Sequence, residues 1–371
     1  MSLASPTAGR VRSWFSCRCD RKGESVFDHP EFDGHEQVVH CHDESVGLRA
    51  IIAIHDTTLG PAAGGCRMQP YASEADALTD VLRLSKGMSY KNALAGLRLG
   101  GGKCVVLADP STPEKHALLH ALGRHVQSLG GRYWTAIDVG VGPADVDVVA
   151  DECDYVFTRA SEYPAGFDPS LFTALGTFTA LRAAAEHVWG TDDLHGRTVA
   201  IQGLGATGRD LARQLHEAGA TLVVADIDRA VVSHVVNAYG ATAVDPATIH
   251  AQPVDVFAPC ALGSVVDDDT LPAIGARVIC GTANNQLAEA RHGEALRAAG
   301  ISYVPDYVAN GGGVIGAAAR IYSSPTLDES RAAVARIYDT TRQILTRAAA
   351  ESRPPSDIAD DMARRIIAAA R

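Results

Sequence analysis

Two lysines, Lys91 and Lys103, stand twelve residues apart in the stretch KGMSYKNALAGLRLGGGKCVVLADP, residues 86–110. Lys103 follows Gly100, Gly101 and Gly102 and precedes a short apolar run, residues 104–107, that reads as a buried strand. The glycines predict a turn with the lysine held at its mouth. A lysine held against apolar walls gives up its proton more readily and becomes a general base near neutral pH. The plainer reading makes both lysines surface residues whose stems lie along apolar side chains. An aspartate, Asp138, closes a strand predicted over residues 132–137 and is followed by Val139-Gly140. Such an aspartate is either a turn former or one of the polar groups that open α/β sheets present at their strand ends.

A second constellation lies downstream. TVAIQG, residues 198–203, reads as a buried strand that runs into Gly203-Leu204-Gly205-Ala206-Thr207-Gly208, then a helix over 209–218 and a strand over 221–225 ending in Asp226. GxGxxG alone says little. With a strand before, a helix after and an acid 23 residues past the first glycine, it is the dinucleotide fingerprint. The glycines let a pyrophosphate approach the helix N-terminus, where N–H donors and the macrodipole favour anions. Asp226 is placed to take the adenosine ribose hydroxyls and to repel a 2′-phosphate, which predicts NAD rather than NADP.

The elements that must position these groups can be read around them. Residues 35–43, HEQVVHCHD, are dense in His and Cys. Their spacing is not that of a zinc site, and alternation predicts a strand with one polar face, so no metal is expected. Residues 50–54 are a second strand, ended by a loop at 55–61. A helix follows Ser73, with Asp76 three residues on as in a capping box. Its apolar positions Leu78, Val81, Leu82 and Met88 recur at helical spacing, and it delivers Lys91 near its C-terminal end. Further helices are expected over 116–129 and 171–188, and strands over 254–258 and 277–280. A glycine-rich loop is expected at 305–313, then one long amphipathic helix through Val334, Ile337, Thr341, Ile344, Leu345 and Ala348, and a last helix after Pro354-Pro355.

Composition bounds the reading. The 371 residues allow two domains. A net charge of −11 argues against nucleic acid or an anionic membrane as partner. No apolar run approaches the ~20 residues of a membrane span, and no signal-peptide pattern opens the chain. Eight cysteines without framework spacing read as reduced thiols of a cytoplasmic protein.

Six stretches, GPAAGGCRM, LSKGMSYKNALAGLRLGGGK, IQGLGATG, DVFAPCALG, CGTANNQL and PDYVANGGGVI, occur in this order. Together they resemble the glutamate, leucine, phenylalanine and valine dehydrogenases, most closely the branched-chain members, from about residue 35 to the C-terminus. The resemblance implies an α/β fold of two domains. Residues 1–25, polar, basic and without periodicity, read as a disordered leader; after it the resemblance implies a substrate-binding and oligomerisation domain, 26–158 plus 331–371, to which the C-terminal helices return. A doubly wound Rossmann domain that binds NAD spans 159–330, and the cleft between the domains closes on the substrate. The implied reaction is NAD-dependent oxidative deamination of an apolar L-amino acid to a 2-oxo acid and ammonia, and its reverse, in a homo-oligomer.

The resemblance also implies roles. Lys91 pairs with the substrate α-carboxylate, Lys103 is the catalytic base, and Asp138 shuttles protons at the substrate nitrogen. Ala63, Gly64, Gly65, Met88, Val314 and Ala317 line the substrate site. Gly203, Gly205, Ala206, Thr207, Gly208 and Asp226 hold NAD, with Thr173, Cys260, Ala261, Asn284 and Asn310 also facing it. Ala63 stands where glutamate dehydrogenases carry a lysine for the side-chain carboxylate, so glutamate is not expected. Branched-chain members commonly carry leucine there, and valine where Ala317 stands, which predicts a wider pocket. Aromatic substrates are therefore the alternative within the family. Outside it stand a malic-type dehydrogenase, which would need an acidic metal cluster, and an inactive NAD-binding regulator, which would have lost a lysine or Asp138.

Overall fold

The computed structural model describes residues 25–160, 168–261, 263–318, 321–322 and 326–371. The expected leader falls almost wholly outside them. Residues Met1–Phe32 form one unit. Its described part, residues 25–32, holds one helical turn, Val26–Asp28, with Phe27 edge-on to Phe32. Residues Asp33–Arg371 form the other, and everything below concerns it.

The first sheet has the order β1-β2-β4-β3-β5. In β1 (Gln37–Asp43) Cys41 is buried between exposed His40 and His42, which is the alternation the sequence shows. β2 (Leu48–Asp56) is buried along nearly its whole length because it lies between β1 and β4, antiparallel to both. β3 (Ala62–Gln69) was not foreseen. Its small residues, Ala62 to Gly65, carry little strand propensity by themselves. β4 (Gly100–Leu107) corrects the expected glycine turn: all three glycines are extended strand, and Lys103 pairs with Ala53 of β2 inside the sheet. They are small because neighbours are close. A Cβ on Gly101 would lie 2.1 Å from the Ser89 amide, and one on Gly102 2.7 Å from the Tyr133 ring. β5 (Tyr133–Ala136) pairs parallel with β3.

Helix α1 (Glu74–Leu94) crosses this sheet with Lys91 in its last turn. Ser73 caps it by accepting from the Asp76 amide at 3.1 Å, and the Asp76 carboxylate accepts from the Ser73 hydroxyl. α2 (Lys115–Ser128) covers the opposite face, burying Leu118, Leu119, Leu122 and Val126 against Ile52, Met68, Val106 and Tyr133. A short α3 (Pro143–Ala150), unforeseen, follows β5.

α4 (Pro169–Trp189), capped by Asp168, leads into the second sheet. There β6 (Thr198–Gln202), α5 (Ala206–Glu217), β7 (Thr221–Ala225), α6 (Arg229–Tyr239), β8 (Thr242–Ala243), β9 (Val256–Pro259), β10 (Val278–Ile279), α7 (Arg291–Ala298) and β11 (Ser302–Tyr303) follow in order, with, among the described residues, only short 3-10 turns between β8, β9 and β10. The sheet is parallel throughout in the order β11-β10-β9-β6-β7-β8. This is the doubly wound arrangement, and its strand order reverses between β6 and β9. Val199, Ile201, Val224 and Val256 pack on one face against α4 and α5, and Ala200, Phe257 and Ile279 on the other.

The expected glycine-rich loop at 305–313 is instead two short helices, α8 (Asp306–Ala309) and α9 (Gly312–Ala318). Gly312 packs so closely on α4 that a Cβ there would lie 1.9 Å from the Phe172 carbonyl oxygen. The expected long helix is broken at Arg336 into α10 (Leu327–Ala335) and α11 (Ile337–Glu351). α11 packs on α4, and α12 (Pro355–Ala368) packs on α1 through Ala363, Ile367, Tyr90 and Ala93. Among the described residues no helix is long and apolar enough to cross a membrane.

Candidate active site

The C-terminal end of β5 lies beside the middle of β3, with Lys103 of β4 next to it, and there the chemistry-bearing residues meet. Lys103 is nearly buried, and its Nζ lies 2.6 Å from Asp138 Oδ2. Asp138 reaches that point because the chain turns sharply after β5. Gly140, at φ +77°, makes the turn, and a Cβ there would lie 2.1 Å from the Met68 carbonyl oxygen. Both readings of Asp138 therefore hold: it sits at a turn and its carboxylate faces the lysine. Gly64 and Gly65 let the strands close up. A Cβ on Gly65 would lie 2.9 Å from Asp138 Cβ, and one on Gly64 would meet the Gly102 carbonyl oxygen at 1.9 Å and Met88 Cγ at 3.1 Å.

A cavity of about 320 Å³ opens over this pair. Lys91, Lys103, Asp138, Gly64, Gly65, Met88, Val314, Ala317, Thr173, Thr207, Asn284 and Asn310 line it. Ala63 does not. It is wholly buried one layer behind, packed with Leu99, Ala136, Phe157 and Ala317. Its expected contact with substrate is corrected accordingly. Ala136, Phe157, Val314 and Ala317 form the cavity's apolar end, and among its described lining no cation lies in that group.

Lys91 Nζ donates to Asn284 Oδ1 at 3.4 Å, and Asn310 Nδ2 donates to the same oxygen at 2.8 Å. Burial pulls the Lys91 ammonium down to about 8; the Lys103 charge acts in the same sense, and Asp306 and Asp138 oppose it. Asp306 was not singled out from sequence. It lines the cavity as the first residue of α8, accepts from the Gln286 amide at 2.9 Å, and is raised above the usual carboxylate range by burial. Burial also raises Asp138, but Lys103 and then Arg67 outweigh it and hold that carboxyl well below the usual range. Arg67 is the other residue that sequence reading passed over. Its position two residues past Gly65 in GGCRM was the available signal, lost because β3 went unrecognised.

The dinucleotide fingerprint lies at the switch point of the second sheet. Gly203 takes φ +99°, and a Cβ on it would collide with Ala261 at 2.7 Å, so Cys260 and Ala261 border the loop directly. Gly208 approaches the Gly203 carbonyl so closely that a Cβ would lie 2.0 Å from its oxygen. Above Gly205 there is open space, and the N-terminus of α5, which begins at Ala206, has no side-chain cap. Asp226 closes β7, with Oδ2 accepting from the Leu204 amide at 2.6 Å and Oδ1 from Asp228 at 2.8 Å. These residues fit a dinucleotide: uncapped helix donors, a glycine cradle and a carboxylate beside it. The cavity reaches this place, since Thr207 of α5 lies 2.9 Å from Thr282 and both line it. Among the described residues no group of three or more His, Cys, Asp or Glu is arranged to hold a metal.

Comparison with known proteins agrees with this geometry. Residues 35–155 match the model of the Glu/Leu/Phe/Val dehydrogenase dimerisation domain, and residues 226–351 that of glutamate/leucine/phenylalanine/valine dehydrogenase. The leucine dehydrogenase of Geobacillus stearothermophilus is 47% identical over 91% of this chain and 92% of its own. The valine dehydrogenase of Streptomyces coelicolor is 47% identical over 92% and 95%. The crystal structure of L-tryptophan dehydrogenase from Nostoc punctiforme superposes with a TM-score of 0.77 at 42% identity, covering 91% of this chain and 97% of that one. With two family models and relatives spanning nearly its whole length, this chain belongs to the glutamate/leucine/phenylalanine/valine dehydrogenase family of oxidoreductases.

Proposed function

We infer that this chain catalyses NAD-dependent oxidative deamination of an apolar, branched-chain L-amino acid, and the reverse reductive amination. One observation carries the reading: a single cavity joins Lys91, Lys103 and Asp138 to the start of α5, with an apolar far end. The family relatives named for leucine and valine support the branched-chain assignment.

NAD, when bound, supplies the acceptor for the hydride of the substrate α-carbon. The protein does the rest. Lys91 holds the substrate carboxylate, and Asn284 and Asn310 fix its ammonium head. Lys103 takes a proton from the water that attacks the iminium carbon, and Asp138 holds and moves the proton at the substrate nitrogen. The two lysines also keep the substrate aligned. We further propose that residues 26–158 with 331–371 and residues 159–330 act as two lobes that close on the substrate, in a cytoplasmic homo-oligomer.

NAD should be preferred to NADP by about 10²–10³-fold in kcat/KM, because juxtaposed like charges cost several kcal/mol. Asp226→Ser should raise kcat/KM with NADP. Equal use of both cofactors by the unaltered enzyme would show that Asp226 does not face the ribose phosphate position.

A second reading, an aromatic substrate, is favoured by the small Ala136 and Ala317 at the apolar end and by the likeness to a tryptophan dehydrogenase. A panel of L-amino acids assayed for NADH formation tests both readings, and turnover of glutamate above that of leucine would reject them. Ala317→Val should lower aromatic relative to leucine kcat/KM by about 10-fold or more, since each methylene in a pocket is worth about 1–3 kcal/mol. Ala63→Leu, by contrast, should cost about 1–3 kcal/mol of stability through overpacking, read as a lowered Tm, with the ratio unmoved.

A further inference from the structure

Arg67 lies in the GGCRM stretch and has no part in the proposed reaction as described so far. It stands on β3 with its side chain 12% exposed. Its Nε lies 3.2 Å from Asp138 Oδ2, the same oxygen that meets Lys103. Its Nη1 lies 3.0 Å from Asp80 Oδ2 on α1, and the Tyr71 hydroxyl donates to that Asp80 oxygen at 2.7 Å. The guanidinium is thus fixed between two carboxylates, one of them at the reacting end of the cavity. Burial opposes its charge, and Asp138 and Asp80 more than offset this.

We propose that Arg67, anchored by Asp80 and Tyr71, is the positioning residue of this site: it aims the Asp138 carboxylate and shares its negative charge, so that Lys103 is not locked into a closed ion pair. This rests on the reading of Lys103 and Asp138 as the groups that handle protons. A general base must be free of its proton to take one from water. A carboxylate 2.6 Å away with no other partner would hold that proton on Lys103. Arginine stays charged at every working pH and presents a planar fork. It therefore draws on the Asp138 charge permanently while binding Asp80 with its other nitrogen.

The groups that bear on Asp138 come from every neighbouring strand and from α1. They are Lys103 on β4, Arg67 on β3, Tyr133 on β5, Lys91 on α1, and Tyr71 just before it, with Asp80 on α1 acting through Arg67. Of the cations among them, only Arg67 and Lys103 touch the Asp138 carboxylate.

The test is the pH profile of kcat for deamination, with NAD and leucine saturating. In Arg67→Met the whole Asp138 charge falls to Lys103, and the acid limb should move up by about 1–3 pH units, the usual effect of changing one close charge. Arg67→Lys restores a charge but not the fork. The limb should return towards the wild-type position while kcat stays below it, which separates charge from aim. Should Arg67→Met fail to fold, Arg67→Met with Asp80→Asn removes both members of the buried pair and should show the same upward limb. An acid limb that coincides with wild type in either folded methionine variant would overturn the proposal. Lys103→Met assayed in parallel distinguishes the two levels. A Lys103→Met enzyme near full turnover would reject the underlying reading, whereas an inactive one beside an unmoved Arg67 profile would reject only the role given to Arg67.

Discussion

Replacing Lys103 with methionine should lower kcat by about 10²–10⁴-fold, the range a positioned general base contributes. Methionine keeps the length of the stem inside β4, so the loss is chemical. Two features of the structure make the variant informative. Lys103 lies in the sheet, paired through its backbone with Ala53, so its side chain can change without a loop rearranging. Asp138 also retains Arg67 at 3.2 Å, so the change does not strand a buried carboxylate. NAD affinity should be unaltered, because the fingerprint glycines and Asp226 belong to the other sheet. Fluorescence titration with NADH measures that binding separately from turnover. Near-normal kcat would remove Lys103 from the role of base.

Lys91→Met should raise KM for the amino acid by about 10²-fold or more, since removing one partner of a buried charge pair costs 2–5 kcal/mol. The pH dependence follows from the depressed Lys91 ammonium. Below about 8 the lysine is charged and grips a carboxylate; above it the proton is lost and the grip with it. Competitive inhibition by a non-reacting short-chain carboxylate should therefore weaken as pH rises above about 8, by ~10-fold per unit at the limit. A bound carboxylate stabilises the ammonium, so the limb belongs to the free enzyme. In Lys91→Met this alkaline limb should disappear. A limb that persists unchanged in the variant would assign it to another group.

Much of this site was legible without coordinates because it depends on local chemistry. The stretch 198–226 announces strand, glycine turn, helix, strand and acid in one continuous run. Each piece is read from its own neighbours, and the structure reproduces the order, with the helix beginning at Ala206, inside the glycine motif itself. Lys91 at the end of a capped amphipathic helix is legible for the same reason, since the 3.6-residue period and Ser73 are local signals.

What needed the tertiary structure is whatever depends on how close two distant segments come. Gly100 to Gly102 look like a turn because glycine is permissive. They are strand, and no Cβ fits there: the Asp56 carbonyl crowds Gly100, α1 crowds Gly101 and Tyr133 of β5 crowds Gly102. Residues 305–313 look like a loop for the same reason and are helical because α9 lies against α4. Ala63 shares a motif with Gly64 and Gly65, yet it is packed among Leu99, Ala136, Phe157 and Ala317 while the two glycines border the cavity. Arg67 and Asp306 carry no pattern of their own. Arg67 matters because it meets Asp138, 71 residues away, and Asp306 because it lies near the charge of Lys91 on α1. Sequence by itself determined which chemical groups are present and the local elements that carry them. Only the packing of one element on another decided which carboxylate those charges share, because electrostatic coupling depends on distance and burial, and neither is written in the order of residues.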